Sequence, residues 1–599
     1  MTSYWSWFMN QRLSRRKALA GSTKGGLAAV LLAACGGSGE GQRDHSGLVS
    51  TREKNFSGAT PGGTWVKSTS TTFQAGAIDP HRNVAAGSFS IFAPTYSALA
   101  KYGFDTSNRT PSSSLITGDA AESWELAPDG MQITFKLRRN HKFDPRPPTS
   151  GRAMTSADVK FSWDRMSAFS AWAGDILNSK SEAGPLQSLS TPDDQTVVVK
   201  LAFPYGALME IFAFWYLFIA PQEADWGFDP RSETRGSGPF FLTSVHEHTG
   251  YVYKKNPDWY VKGRPYLDGI EAVPLAEYAT ALAQFEAKAI WTYDDIRQGD
   301  ILRVKRDHPP LVMYQDPLAG ALNSQTVTFS QSEQSPFKDV RLRRAASMAI
   351  DRDLFIDTFH NIADFAKAGI PVERLWTSHL SIKAQNYLNP KDKDFGENAK
   401  FFQFNPAEAK RLVSAAGNPS VEYLSRQSAG IQWFGYADVF SEMLTQAGFS
   451  LARKALGTAD WRRAKESAGD GYPGLFQNTA FGFNDDAFLT AKYTPSGKDR
   501  IAKSEISGIN DAIKKIRTEQ DTKRRGEMIK QIQRDLAALM LDLPMEREAV
   551  SFSLRWPWLK NHGVLAGMGF ATNGVGGESL TARVQTEYWY DKAEHQKYL

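Results

Sequence analysis

The only thiol in the sequence is Cys35. The body of the chain therefore has no internal disulfide, no multi-cysteine metal site and no thiol nucleophile. Other side-chain chemistry is thin. His246-Glu247-His248 places two imidazoles at i and i+2, which on a strand share one face and could take one metal ion. An exposed strand end or turn explains the triplet better, and no metal or cofactor is expected. Serine hydroxyls and ten histidines are scattered along the chain. No Gly-x-Ser-x-Gly elbow, His-Glu-x-x-His zinc pair or Gly-x-x-x-x-Gly-Lys phosphate loop organises them, so the pattern speaks against an enzyme.

What positions Cys35 is more informative. Arg12, Arg15, Arg16, Lys17 and Lys24 precede it with no acid among them, followed by the apolar, small-residue run Gly25 to Ala34. That run is too short for a bilayer-spanning helix, which needs about 20 apolar residues. It ends in Leu32-Ala33-Ala34-Cys35, which looks like a bacterial lipobox. Residues 1–34 are expected to be a signal peptide, and Cys35 to be the lipid attachment point. Ser14-Arg15-Arg16-Lys17-Ala18-Leu19 resembles a twin-arginine export motif, and a Sec-type basic region fits as well. Residues 35–63, rich in Gly, Ser and polar side chains, form the expected anchor and flexible tether. The whole chain has 70 Lys+Arg against 65 Asp+Glu. Removing residues 1–34 takes away five bases and no acid, so the body is neutral and lacks the basic excess of a nucleic-acid binder. The expected location is the extracytoplasmic face of the cell membrane, in the periplasm or on the cell surface.

The body from Thr64 onward is too long for one hydrophobic core, so at least two domains are expected. Met131, Ile133, Phe135 and Leu137 alternate with polar residues and predict a half-buried strand. Val197-Val198-Val199 after Asp193-Asp194 predicts another. Thr155 or Ser156 caps a helix running to Met166, with Asp158 in its first turn. A helical segment from Val340 to Phe359 breaks near Ile350-Asp351. Asn405 caps a helix beginning at Pro406 and stopping at Gly417. Ile506, Ile509, Ile513 and Ile516 form one apolar stripe, and Met528, Ile532, Leu536 and Leu539 form another. Strands and helices alternate, which makes the chain α/β.

Five blocks, in order, resemble the extracellular solute-binding proteins of family 5, the peptide/nickel class of ABC importers. They run from Ala121-Glu122-Ser123-Trp124-Glu125 through Thr155-Ser156-Ala157-Asp158-Val159. Gly236-Ser237-Gly238-Pro239-Phe240 and Asn256-Pro257-Asp258-Trp259-Tyr260 follow. Pro336-Phe337-Lys338-Asp339-Val340-Arg341 precedes Asn405-Pro406-Ala407-Glu408-Ala409. The resemblance departs at Asp144-Pro145-Arg146-Pro147-Pro148, which begins a longer loop, and at Ser237, where Thr is usual. Most of these residues suit turns, caps and core; Trp124 and Phe143 are expected to be core aromatics.

The resemblance implies a periplasmic-binding-protein-like fold (class II, cluster C) with two α/β lobes and a ligand cleft between them. Lobe I would comprise residues 64–316 and a return at 550–599, and lobe II residues 317–549. Asp316-Pro317 and Phe552 to Trp558 are the candidate hinges. It implies a monomer that captures a peptide or similar small solute without chemistry and delivers it to an ABC permease and ATPase. An anchored hydrolase, or a sensor or chaperone on the same fold, is the alternative. In peptide-binding members a lobe II strand ends in an aromatic residue and an Asp that pairs with the peptide ammonium. The corresponding stretch here is Phe481-Gly482-Phe483-Asn484-Asp485-Asp486. Aligned without a gap, Phe481 takes the place of that Asp; a gap puts Asn484 or Asp485 there. The ligand-binding candidates are therefore Phe481, Phe483, Asn484 and Asp485. His81 and Asn83 join them from the early loop Ile78-Asp79-Pro80-His81-Arg82-Asn83, and Trp433 from Gln432-Trp433-Phe434.

Overall fold

The computed structural model describes residues 44–69, 78–82, 91–103, 116–214, 217–246, 250–315, 322–427, 431–466, 472–482, 484–545, 551–565 and 584–599. The signal segment, Cys35 and the start of the tether lie outside them.

The alternation around Phe135 produces the strand Gln132–Leu137, with Ile133, Phe135 and Leu137 facing inward. It pairs antiparallel with Ala121–Leu126 on one side and Thr196–Leu201 on the other, and Leu186–Asp193 closes the four-stranded sheet. Ala121–Leu126 is an edge strand, and for that reason Trp124 is half-buried rather than a core residue; it covers Phe135 from the rim at 6.4 Å between ring centroids. Phe143 is buried as expected. The helix Ser156–Phe169 lies against this sheet. The Thr155 N–H donates to Asp158 Oδ2 at 2.9 Å, so the first-turn acid holds the helix entry.

A second sheet has the order Thr64–Thr69, Gly269–Pro274, Gly250–Lys255, Phe240–His246, with its first pair parallel and the rest antiparallel. The two sheets share one hydrophobic core. That core also takes in Phe552, Leu554, Trp556 and Trp558 from the far end of the chain, together with Phe365 and Ile370. Val312–Gln315 and Phe552–Arg555 form an antiparallel pair, so the chain leaves this half of the molecule and re-enters it side by side.

The other half is built on a mixed five-stranded sheet, ordered Ser450–Leu456, Ser420–Arg426, Leu475–Gly482, Leu322–Phe329, Asp542–Pro544. The helical segment predicted to break near Asp351 does so. Val340–Met348 ends and Arg352–His360 begins with Asp351 accepting from the Leu354 N–H at 2.9 Å. Asn405 caps Pro406–Ala415, and Gly417 leaves that helix at φ +80°, a conformation glycine adopts freely. Ile509, Ile513 and Ile516 of the helix Ile509–Thr518 pack against Ile529, Ile532 and Leu536 of the helix Thr522–Leu539. Of the second stripe, Ile532 and Leu536 are deep as predicted, whereas Met528 and Leu539 are half-buried and Ile529 takes the deep position at the helix start. Beneath lies a buried polar cluster. Asp542 accepts from Lys492 Nζ at 2.7 Å and Tyr493 Oη at 2.9 Å and pairs with His379 Nδ1 at 3.1 Å. The result is a two-lobed α/β molecule. Among the described residues, no helix is long and apolar enough to cross a membrane.

Candidate functional site

The strand Leu475–Gly482 carries Phe481 to the edge of the second lobe, where its half-buried ring meets aromatics of the first lobe. Its centroid lies 5.5 Å from Trp172 and 6.1 Å from Phe214. Trp172 precedes the short helix Ala173–Ile176, and Phe214 follows the helix Leu208–Ala213. Phe481 is fixed from behind, its N–H donating to Asp499 Oδ2 at 2.8 Å. Next to Asp499, Lys498 reaches across: its Nζ lies 3.2 Å from the Trp172 ring centroid and 2.7 Å from Asp175 Oδ2. An aromatic ring and an ammonium from one lobe therefore face an indole and a carboxylate from the other. That surface suits stacking and cation–π contact more than the capture of a free ammonium.

Just past the strand, the chain turns into the helix Asp485–Tyr493. Gly482 is required here, since a Cβ would lie 2.4 Å from the Phe488 nitrogen. Asn484 is the helix cap, its Oδ1 accepting from the Ala487 N–H at 2.7 Å. Its Nδ2 is buried with no hydrogen-bond partner among the described residues. Asp485 is turned into its own lobe. It accepts from the Gln385 N–H at 3.2 Å, the Asn386 N–H at 3.0 Å and Asn386 Nδ2 at 2.8 Å. Asp486 points the other way, toward Tyr205 and Arg517; Arg517 Nε lies 3.5 Å from Oδ2. Burial pushes the carboxyls of Asp485 and Asp486 above their ordinary range, and the neighbouring guanidinium and amide donors only partly offset it.

Facing them from the first lobe is Glu210, buried on the helix Leu208–Ala213. Loss of hydration, then the charge of Asp485, push it up to about 8, against the pull of Arg525. The lobes touch along this line. The Gly206 N–H donates to the Arg517 carbonyl at 3.1 Å, and Arg517 Nη2 donates to the Ala183 carbonyl. The Arg517 guanidinium lies 5.4 Å from the Tyr205 ring centre.

The remaining predicted residues fall elsewhere. His81 is buried, with Nε2 2.8 Å from the Phe218 carbonyl and Nδ1 3.2 Å from Arg165 Nη1. Burial and the Arg165 charge lower it to about 4, so it is neutral; both ring nitrogens are occupied by protein, and Asp79 beside it pairs with Arg165 at 2.7 Å. Phe483 and Asn83 lie outside the described residues. Trp433 belongs to the helix Ile431–Gln446, but its side chain lies outside them too; Tyr436 of the same helix is core, packed on Phe355 and Phe359. His246 ends a strand, while Glu247 and His248 lie outside the described residues. No group of metal-ligating side chains gathers among those described. Trp172, Tyr205, Lys498 and Arg517 could not be read from the sequence, because their meeting depends on how the lobes dock. Glu210 left one signal: it is the only charged residue between Gly206 and Ala220, an acid inside an apolar run.

The model of the bacterial extracellular solute-binding proteins, family 5, matches residues 116–500. An ABC transporter peptide-binding protein of Brucella ovis is 27% identical over 357 residues, 58% of this chain and 64% of that relative, so the match spans under two thirds of its length. Di/tripeptide-binding protein 2 of Pseudomonas aeruginosa is 23% identical over 501 residues, 78% of this chain and 87% of the relative. Among solved structures, a periplasmic binding protein of Helicobacter pylori in complex with a peptide superposes with a TM-score of 0.69 at 16% identity, covering 90% of this chain and 99% of the other.

Proposed function

The chain belongs to the bacterial extracellular solute-binding proteins, family 5, and from that premise we propose that it is the substrate-binding component of an ABC importer. It captures a peptide or similar small solute between its lobes, by closure and without covalent chemistry, and hands it to a membrane permease served by an ATPase. The observation that supports this reading is the meeting of Phe481 with Trp172 and Phe214 across the lobes, an aromatic surface suited to a solute held between them. Asp485, already engaged by Gln385 and Asn386, is withdrawn as the ammonium partner. Asp486 is buried beside Arg517, so a peptide with a free amino terminus is one ligand class among several, beside opines, sugars and metal chelates. Phe481, Trp172, Asn484 and Asp486 are the proposed contacts, with Phe483, Asn83 and Trp433 kept on sequence grounds. His81 acts from the scaffold.

In this reading, lobe I comprises 64–316 and 550–599, and lobe II 317–549. The paired strands Val312–Gln315 and Phe552–Arg555 flank the hinge on the lobe I side. Cys35 carries lipid, and the tether to residue 63 lets a monomeric binder reorient toward its permease. A ligand that binds only the folded protein raises its melting temperature by mass action, about 2.7 kcal/mol at 100 times Kd. A thermal-shift screen of the mature protein against tripeptides, opines, oligosaccharides and metal chelates tests this directly. One class is expected to raise Tm. If none did, and a chromogenic ester or amide were turned over instead, the anchored hydrolase would replace the transport reading.

A further inference from the structure

Gly206 meets the second lobe through its backbone alone. It lies in the loop 202–207 of the first lobe, between the strand Thr196–Leu201 and the helix Leu208–Ala213. A Cβ built on it would lie 2.3 Å from the Glu519 carbonyl oxygen and 2.3 Å from Arg525 Nη1, and the next nearest atom is Arg525 Cζ. All three belong to the second lobe. The φ of Gly206 is outside the left-handed region, so its own backbone would accept a side chain; only the other lobe forbids one. The Gly206 N–H donates at 3.1 Å to the Arg517 carbonyl, one of the last carbonyls of the helix Ile509–Thr518, which a helix leaves unpaired. The Arg517 side chain enters the first lobe beside it. Its Nη2 donates to the Ala183 carbonyl, and its guanidinium lies 5.1 Å from the Phe203 ring centre and 5.4 Å from that of Tyr205. Those two rings stand at 81° to each other. The first lobe builds this socket by itself: the Ala202 N–H donates to the Pro185 carbonyl at 2.8 Å, tying the loop 202–207 to the turn that carries Ala183. From within the second lobe, Asp486 Oδ2 lies 3.5 Å from Arg517 Nε and steadies the guanidinium.

We propose that Arg517 is a latch: seated in the socket of Ala183, Phe203 and Tyr205, it holds the lobes together without solute, and Gly206 is the residue that lets them come close enough. The proposal rests on the lobe-closure reading above and adds to it a closed state that solute does not create. The aromatic surface of Phe481, Trp172 and Phe214 is no part of this socket. When the lobes part, Arg517 leaves the Ala183 carbonyl and both rings at once, and the Gly206 N–H leaves its acceptor. A hydrogen bond from a charged donor and cation–π contact with two rings together shift the closed-to-open ratio about tenfold. Solute then meets a population already biased toward closure, and its apparent affinity rises with the closed fraction.

The test is small-angle X-ray scattering of the ligand-free mature protein, with the folding of each variant checked by far-UV circular dichroism. Wild type is expected to be compact. Arg517→Ala empties the socket from the second lobe, and Gly206→Ala obstructs the approach from the first; both should enlarge the radius of gyration. Gly206→Ala is the sharper of the two, because the added methyl meets only atoms of the other lobe. The latch is overturned if Gly206→Ala keeps the wild-type radius, or if wild type is already as expanded as the variants. Expansion in Arg517→Ala alone would assign the effect to Asp486 left buried without its cation, and would overturn the latch as well. The measurement needs no solute, so an empty thermal-shift screen leaves the latch standing, and an unmoved radius leaves solute capture standing.

Discussion

Asp542 shows how a single buried charge shapes this molecule. Its carboxylate is fully enclosed, yet Lys492 and His379 hold it well below the ordinary carboxylate value of 3.8. Burial lowers Lys492 and His379 in turn, and His379 is neutral at physiological pH. The ion pair is an expensive arrangement to break from one side. Lys492→Met should destabilise the second lobe by about 3–5 kcal/mol, because a carboxylate is left buried without its cation. Lys492→Met combined with Asp542→Asn should cost markedly less than the sum of the two single changes. Urea unfolding of the four proteins measures this, and additive losses would mean the two groups are not coupled. The pH dependence has a definite sign. A carboxyl lowered by folding stabilises above its unfolded value and loses that contribution as the medium becomes more acid. Wild type should therefore lose stability below about pH 4 in a step absent from the double variant.

At the scale of elements, local chemistry in the sequence was a good guide where a side chain bonds to its own turn. Asn405 and the Thr155–Asp158 pair each cap the helix their spacing predicts, because a cap needs only three or four consecutive residues, and Asp351 caps the helix that starts at the predicted break. Asn405→Ala should therefore lower stability by about 1 kcal/mol, and Asn405→Asp should restore most of it; a chemical denaturation midpoint unchanged in the alanine variant would deny the cap any role. The stripe on Thr522–Leu539 holds at Ile532 and Leu536 but has Ile529 rather than Met528 as its deep first member, because periodicity defines a face only to within the angle one residue subtends. Trp124 was misplaced because nothing local tells an edge strand from a central one. The candidate site was legible in part. The aromatic and acidic run at 481–486 lies where Phe481 meets the other lobe, yet the different surroundings of its members were not visible. Asp485 turns inward because Gln385 and Asn386, about a hundred residues away, present donors to it. His81 is taken by Arg165 and the Phe218 carbonyl for the same reason. Contacts of that separation are set by topology, which a single sequence expresses only through its resemblance to a family.

For the whole molecule, the contacts across the lobe seam would set how readily the proposed closure reverses. Lys498 and Asp175 join opposite lobes at 2.7 Å, with side chains 23% and 24% exposed, and the same ammonium lies over Trp172. Partial exposure discounts the ion pair to about 0.5–1 kcal/mol. The cation–π contact adds a similar amount. Against a domain movement whose two states differ by only a few kcal/mol, that is enough to shift populations severalfold. Lys498→Glu sets two acids against each other over an electron-rich indole face, so it should expand the ligand-free protein in solution scattering. Asp175→Lys in the same chain restores the opposite charges in swapped positions, but it leaves the carboxylate at 498 over Trp172. The double variant should therefore recover only part of the wild-type compactness, the remainder measuring the cation–π share. Salt should shrink the difference between the single and double variants only modestly, since the pair is partly buried and its separation is well under the screening length of about 8 Å at physiological ionic strength. If the double were as expanded as Lys498→Glu alone at low salt, the seam would be held by Phe481 and its aromatic partners rather than by charge, and Phe481→Ala would then be the variant that opens it.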